Sequence, residues 1–294
     1  MNPKSKIRKV LFNCIQAANG IHDDTEAHQR LYDAITDGKP LMVARFGAVE
    51  IKGTLYKKLP PPINKCLHSY VYSTMHTNAG FFPLNEDSLA AFARLMTNDM
   101  SCIDVLASWR PEEIFFRHRL AGAWRMRLGV LGPCPIRESW SRALKGKHVL
   151  VIHPFSETIK RQYAERRDKI WGEMSDYVLP EFASLQTVKA VQTVAGNTGG
   201  YASWFDALEH MKQETDKLQF DVALIGCGAY GLPLAAHIKR TGRQAIHIGG
   251  SLQLYFGIRG KRWDDRGIYN EYWTSPDETE KPSGLTSVEG GCYW

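Results

Sequence analysis

Long apolar runs and paired cysteines are both missing from this sequence. No run approaches the roughly 20 apolar residues that a membrane-spanning helix needs. Near the N-terminus, Asn13 interrupts a short apolar core, which is unlike a signal peptide. The six cysteines lie far apart, without the close pairs of a zinc cluster or a disulfide scaffold. We therefore expect a protein of a reducing compartment, the cytoplasm.

A strong excess of charge of one sign is also missing. The 37 basic residues exceed the 31 acidic ones by six, and the excess is diffuse. It suits anionic ligands or a membrane surface and does not call for nucleic acid. We predict that residues 1–38 form a basic N-terminal helical segment. Its lysines and arginine at 4–9 precede apolar residues at 10–15, which is consistent with a helix on a membrane. A solvated helix docked by its apolar side is the alternative that we favour.

What the sequence does have is a repeated order of apolar strand, turn and helix. Near-continuous apolar runs of this length are typical of buried strands in a parallel sheet. We therefore predict a Rossmann-like, doubly wound α/β fold with a mostly parallel sheet over residues 39–294, with a join between two lobes near 129–147. The predicted strands are 41–46, 102–107, 148–153, 188–194, 221–225 and 244–248.

Three helix boundaries are marked by their residue types. Asn85 and Ser156 are suited to cap the helices that follow them. Residues 232–240 have Pro233 in the first turn and Gly242 just past the end, the usual asymmetry of a helix. In a sheet of this kind the ligand binds outside the carboxyl ends of the strands, so the strand ends predict the site.

A glycine-rich turn follows the predicted strand at 221–225. Gly226, Gly228 and Gly231 fit the spacing of loops whose backbone amides hold phosphates at a helix N-terminus. No acid occupies 244–253, where a dinucleotide site would place its ribose ligand, and this disfavours NAD. A nucleotide diphosphate remains, with a tight turn that packs helix against strand as an equal alternative. Candidate neighbours are Tyr230, His247, Gly249 and Gly250.

A second turn, Arg45-Phe46-Gly47-x-x-Glu50, runs from the first strand into a helix. An arginine fixed at a strand end can hold a phosphate through two hydrogen bonds. Glu50 has three possible roles: binding a divalent cation, accepting a sugar hydroxyl or acting as a base. On pattern alone, an Arg45–Glu50 ion pair that closes the turn is slightly favoured.

This turn, RFGAVE at 45–50, resembles the Arg-Phe-Gly-Asp-x-Glu element of GT-D type bacterial glycosyltransferases. The segments FDVALIGCGAYG at 220–231 and GSLQLYFGIRGKRW at 250–263 are similar to that family's second glycine-turn unit. The similarity covers about 39–263 and is closer at its two ends. The tail EGGCYW at 289–294 looks like a subgroup from capsule and exopolysaccharide clusters.

The resemblance implies transfer of a sugar from a nucleotide sugar, most often a UDP-sugar, in surface polysaccharide synthesis. The acceptor would be a hydroxyl of a glycan or lipid-linked glycan, at the inner face of the cytoplasmic membrane. In that family the Asp-x-Glu motif binds a metal together with UDP, and here Ala48 replaces the Asp. Only Glu50 is left to hold Mn²⁺ or Mg²⁺, and a lone carboxylate is a poor site for either. The diphosphate would otherwise be neutralised by basic residues: Arg45, Arg259, Lys261 and Arg262.

The base that deprotonates the acceptor has two further candidates, His153 and Glu157, at the end of the third predicted strand. A capping role for Glu157 and a core role for His153 are equally open. The basic aromatic stretch 115–127 could contact lipid headgroups, although we favour a helix with one solvated basic face. Two other functions stay open: an NAD-dependent oxidoreductase and a non-catalytic nucleotide- or glycan-binding protein.

Overall fold

The computed structural model describes residues 23–294. Within them, seven strands form one sheet in the order β3-β2-β1-β7-β6-β4-β5, and all neighbouring strands run parallel. This confirms the predicted Rossmann-like α/β class. The strands are β1 (Leu41–Ala44), β2 (Val105–Ser108), β3 (Trp124–Arg127), β4 (His148–His153), β5 (Ser184–Lys189), β6 (Val222–Ile225) and β7 (Gln244–His247).

Helices cover both faces of the sheet and bury a separate apolar cluster on each. One face carries α2 (Ala48–Tyr56), α3 (Pro61–Thr77), α4 (Glu86–Asp99), α7 (Trp204–Asp216) and α8 (Gly231–Arg240). The other carries α1 (Asp24–Thr36), α5 (Ser156–Ile170), α6 (Ser175–Val178) and α9 (Leu252–Tyr255). Among the described residues, no helix is long and apolar enough to cross a membrane.

The two edge strands differ from the sequence predictions. The strand predicted at 188–194 lies at Ser184–Lys189, where most side chains are half-buried, because β5 is an edge strand with a mixed pattern. The helix favoured for 115–127 is wrong. That stretch contains the end of a 3₁₀ turn, Pro111–Phe116, and the other edge strand, β3. Short edge strands lack the continuous apolar run that marks a buried one.

Helix caps agree with the sequence at one position and differ at another. Asn85 caps α4 with a reciprocal pair of hydrogen bonds to Ser88, as predicted. Ser156 is instead the first residue of α5 and forms no cap. The α5 amides are bonded to the buried carboxylate of Glu280, which accepts from Glu157 N at 2.8 Å and Thr158 N at 3.3 Å. An anion at a helix N-terminus is favourable, so this contact fastens the C-terminal segment to the sheet.

The structure describes only part of the predicted N-terminal segment, residues 1–38, and it places the predicted lobe join between two strands of one sheet. The basic residues at 4–9 lie outside the described residues, whereas α1 packs Leu31 and Ile35 into the core. Residues 129–147 connect β3 to β4 within the same sheet, and Trp140 from this stretch is fully buried. The Trp140 indole donates to the Val130 carbonyl at 2.8 Å. The division at residue 38 stays a prediction.

Candidate active site

A cavity of about 410 Å³ opens at the carboxyl edge of the sheet. The loops after all seven strands of the described sheet reach it, as the strand-end rule predicts. The C-terminal segment covers one side with Glu289, Tyr293 and Trp294. The predicted site residues that line it are Arg45, Gly47, Glu50, His153, Gly226, Gly228, Tyr230, His247, Gly249, Gly250 and Arg262.

Other predicted site residues do not line the cavity. Glu157 is exposed and forms an ion pair with Lys160 at 2.8 Å. Arg259 and Lys261 are exposed outside the cavity, and Arg259 donates to the Asn270 carbonyl. Phe46 is fully buried and contributes only its carbonyl, which accepts from the Trp109 indole N–H at 2.7 Å.

In the glycine-rich turn, close packing of neighbouring side chains requires glycine at positions 226 and 231. A methyl group on Gly231 would lie 2.3 Å from Nε2 of His247. One on Gly226 would lie 2.6 Å from Cδ2 of His153 and 2.9 Å from the Gly249 carbonyl oxygen. Gly228 is different, because it has a φ of +57° and faces open space in the cavity. The tight-turn alternative therefore explains Gly226 and Gly231, and Gly228 is the position open to a ligand.

Arg45 lies on an aromatic platform at the end of β1. Its guanidinium carbon is 5.1 Å from the centre of the Trp109 ring, and Arg110 approaches the same ring at 4.8 Å. Nε of Arg45 is buried and has no hydrogen-bond partner in the described part of the chain. Burial lowers the Arg45 pKa, although the group stays a cation. A cation with a buried, unused donor is suited to receive an anion.

Glu50 is the acidic residue of the turn that begins at Arg45. Its side chain folds back over Gly47. A methyl group on Gly47 would overlap its carboxyl group. Burial raises the Glu50 pKa, and the amides of Glu50 and Val49 and the charge of Arg45 oppose that rise. No direct ion pair joins Arg45 and Glu50 in residues 23–294, so the predicted closing ion pair is absent. A carboxyl group with a raised pKa is suited to proton transfer.

Two neutral histidines lie beneath the cavity. Burial lowers the His153 pKa to about 3, and its Nδ1 accepts from the Phe155 amide at 3.0 Å. The neutral ring therefore carries its proton on Nε2 and acts as a donor there. Burial and the nearby charge of Arg45 lower the His247 pKa to about 3. The Arg45 backbone opposes this shift, although neither ring nitrogen of His247 has a hydrogen-bond partner of normal geometry among the described residues.

His247 should make the protein sensitive to acid. Its folded pKa is about 3 and its ordinary value is 6.5, so the unfolded chain binds the proton more readily between these values. Stability is complete above the ordinary value and falls as the pH drops below it. We expect His247→Leu to remove up to about 1.4 kcal/mol per pH unit from that acid slope. Urea unfolding from about pH 7.5 to about pH 5 measures it.

The exposed His148 is the matched control, because His148→Leu removes an imidazole that lies at the amino end of β4. We expect that variant to keep the acid slope of the parent protein. An unchanged slope in His247→Leu would show that the His247 ring does not stay neutral in the folded state.

Arg262 joins the C-terminal segment to the cavity. It donates to the Tyr293 hydroxyl and pairs with Glu289. The Tyr293 ring packs so closely on Gly250 that a methyl group there would lie 2.3 Å from it. Trp109 follows a predicted strand, so the strand-end rule predicts it near the site, although without a role. Sequence reasoning left out Glu289 and Tyr293, because the tail carries no strand signal.

The residues present do not fit a divalent-cation site. No group of three or more His, Cys, Asp or Glu side chains suited to a metal occurs in residues 23–294. The two carboxylates of the cavity are Glu50 and Glu289, and Glu289 is held by Arg262. Ala48, at the first residue of α2, has no donor atom in its side chain. The arginines that line the cavity in the described part of the chain are Arg45, Arg262 and Arg266.

Comparisons with known proteins add little to this geometry. No protein-family model matches the chain, and no curated protein matches it. One similar solved structure is described as "Selenomethionine substituted structure of domain of unknown function 1792 (DUF1792)". The identity is 14% over 89% of this chain and 94% of that chain, with a TM-score of 0.39. A likeness of this size says nothing about activity.

Proposed function

We propose that the protein is a glycosyltransferase that takes a sugar from a nucleotide-sugar donor, a UDP-sugar, to a hydroxyl group of a glycan or lipid-linked glycan. The observation that carries the proposal is the presence in one cavity of Arg45, stacked on Trp109, and of Glu50, whose pKa is raised by burial. Surface polysaccharide synthesis at the inner face of the cytoplasmic membrane is the setting that the sequence resemblance supports.

The arginines account for recognition of the diphosphate. Arg45 has a buried donor without a partner among the described residues, and Arg262 and Arg266 also line the cavity. A guanidinium binds two phosphate oxygens at once and can replace a metal as the counter-charge. The open backbone at Gly228 lets a phosphate or a ribose approach the turn before α8. The Trp109 ring offers an apolar face beside these charges.

The proposed reaction breaks the bond to the leaving group and forms a bond to the acceptor. The bond from the anomeric carbon to the diphosphate oxygen breaks, and Arg45 stabilises the charge that develops there. The acceptor oxygen bonds to the anomeric carbon, and its proton passes to Glu50. Nε2 of His153 carries the ring proton and can donate a hydrogen bond to the sugar, because Nδ1 already accepts one from the Phe155 amide. We therefore propose His153 as a donor that holds the sugar, and not as the base.

A non-catalytic nucleotide-binding protein is the second candidate. It is favoured by Ala48 and by the lack of a metal donor set among the described residues. Both candidates bind a nucleotide diphosphate, and they differ in turnover. The NAD-dependent alternative has no support in the cavity beyond the glycine turn, two of whose glycines are explained by packing.

A thermal-shift panel tests the proposal. Purified protein is melted with UDP, GDP, CDP or NAD, each with Mn²⁺ and with EDTA. We expect UDP to stabilise the protein equally with Mn²⁺ and with EDTA, because arginines provide the counter-charge. A ligand at about 100 times its Kd adds roughly 2.7 kcal/mol, a shift of a few degrees.

Three other outcomes have distinct meanings. Stabilisation by NAD and not by UDP would overturn the proposal. Loss of the UDP shift in EDTA would show that a metal, and not the arginines alone, supplies the counter-charge. A UDP shift without hydrolysis or transfer from any UDP-sugar would support the non-catalytic candidate.

A further inference from the structure

Exposed apolar side chains are confined to one part of the surface. In residues 23–294, the large hydrophobic side chains that are exposed are Ile63, Leu67, Tyr70, Ile114 and Phe115. Three lie on α3 at helical spacing, and two lie on the 3₁₀ turn Pro111–Phe116. Both elements pack against α2. We call this group of five residues the apolar surface.

Helix α2 brings the two halves of the apolar surface to one side of the fold. Nζ of Lys52, on α2, is 2.9 Å from the Tyr70 hydroxyl of α3. Nζ of Lys58, just past the end of α2, is 4.7 Å from the centre of the Phe116 ring, next to the exposed Phe115. The Lys52 ammonium group therefore borders the α3 half, and the Lys58 ammonium group contacts the 3₁₀ turn that carries the other half.

The two stretches of chain that carry the apolar surface contain basic residues and no acidic ones. No Asp or Glu occurs from residue 51 to residue 85, or from residue 114 to residue 137. The basic residues in the two stretches are Lys52, Lys57, Lys58, Lys65, Arg117, Arg119, Arg125, Arg127 and Arg137. Of the acids that flank these stretches, Asp87 and Glu138 are exposed, and three others are paired or buried. Glu86 is bonded to Lys57, Glu112 is bonded to Arg110, and Glu113 is buried.

We propose that the apolar surface, with its border of lysines and arginines, docks the protein onto an anionic lipid bilayer. Exposed apolar groups within a basic border are the features by which peripheral proteins enter the headgroup region. The two acids of the 3₁₀ turn do not oppose this, because Glu112 is paired with Arg110 and Glu113 is buried. The proposal goes beyond the proposed function and does not rest on it.

The apolar surface and the cavity are connected by the same helix. Asn78 and Ala79, just after the C-terminal end of α3, line the cavity. Ile63 lies near the other end, roughly 20 Å away at the rise of an α-helix. Docking by this surface would therefore hold the cavity a fixed distance from the bilayer.

Vesicle co-sedimentation of the full chain tests the proposal. The vesicles are phosphatidylcholine alone, or phosphatidylcholine with about 30% phosphatidylglycerol as the anionic lipid. We expect binding to the anionic vesicles, with loss at high salt. Leu67→Ser combined with Phe115→Ser should weaken it roughly tenfold or more, since both side chains are exposed and leave the core unchanged.

A charge pair provides the matched control. Lys65→Glu, on α3, should weaken binding by at least roughly fivefold. Lys145→Glu makes the same charge change at an exposed site just before the amino end of β4, away from the apolar surface, and should bind as the parent does. Circular dichroism and the melting temperature confirm that each variant is folded.

The proposal is wrong if the parent chain binds neither kind of vesicle, or if it binds both equally. It is also wrong if the Leu67/Phe115 double variant binds as the parent does, because another part of the chain then contacts the lipid. A self-association that the double variant abolishes, without vesicle binding, would assign the apolar surface to a second copy of the chain. None of these results depends on UDP binding, so each is separate from a failure of the proposed function.

Discussion

Replacing Glu50 by Gln is expected to lower sugar transfer about 10²- to 10⁴-fold, the range for loss of a general acid–base group. The amide keeps the shape of the carboxyl group that folds over Gly47, so the turn at the start of α2 should be preserved. Burial already disfavours the charged form of Glu50, and Gln removes that cost. We therefore expect normal or slightly raised stability and unchanged UDP binding. Turnover of a UDP-sugar and the UDP thermal shift are measured on the same preparation.

Glu157→Gln is the matched comparison for Glu50→Gln. It makes the same change in the first turn of a helix, at an exposed carboxylate paired with Lys160 outside the cavity. Its turnover should stay within about twofold of the parent, as for surface substitutions in general. Loss of turnover in Glu157→Gln with retention in Glu50→Gln would reverse the assignment of the base.

Replacing Arg45 by Met is expected to weaken UDP binding about 10- to 10²-fold, the range for a hydrogen bond to a charged group. Transfer should fall about 10²- to 10³-fold, the usual effect of removing one donor from a developing oxyanion. Arg45→Lys should recover only a small part of this, because an ammonium group cannot make two planar hydrogen bonds or stack on Trp109 as a guanidinium does. Loss of the cation should also raise the pKa of Glu50, since Arg45 is among the groups that lower it. Isothermal titration with UDP measures the affinity.

Arg259→Met serves as the control for Arg45→Met. The Arg259 side chain is exposed, donates to the Asn270 carbonyl and does not line the cavity. Its affinity for UDP should match that of the parent. Equal losses in the two variants would mean that long-range charge, and not a local contact of Arg45, determines binding.

Several residues of the site could be predicted from the sequence, because the carboxyl ends of parallel strands lie at one edge of the sheet. Arg45, His153, Gly228 and His247 come from four strands, yet they line one cavity. The continuous apolar character of β4 and β6 made those strands visible without an alignment. The apolar signal fails for β3 and β5, since an edge strand buries less and shows no such run, although Gly129 and Thr193, which follow these strands, also line the cavity.

The roles of the glycines could not be predicted from their spacing. In the sequence, a glycine that lets a phosphate approach cannot be told from a glycine that makes room for a histidine ring. The neighbours decide: His247 packs on Gly231, whereas Gly228 faces the cavity. The role of Glu280 could not be predicted either, because it contacts α5 from a distant part of the chain and no local sequence pattern marks it.

The order of the strands has a consequence for folding. Strand β1 lies between β2 and β7, so the pairing at the middle of the sheet joins Leu41 to Gln244. Such high contact order makes this pairing slow relative to the local contacts within β1–β3 and β4–β7. The two halves can each form part of the sheet before β1 and β7 meet. Arg45 and His247 lie at the carboxyl end of the β1–β7 pairing, so a ligand that contacts both would bind only after these two strands have paired.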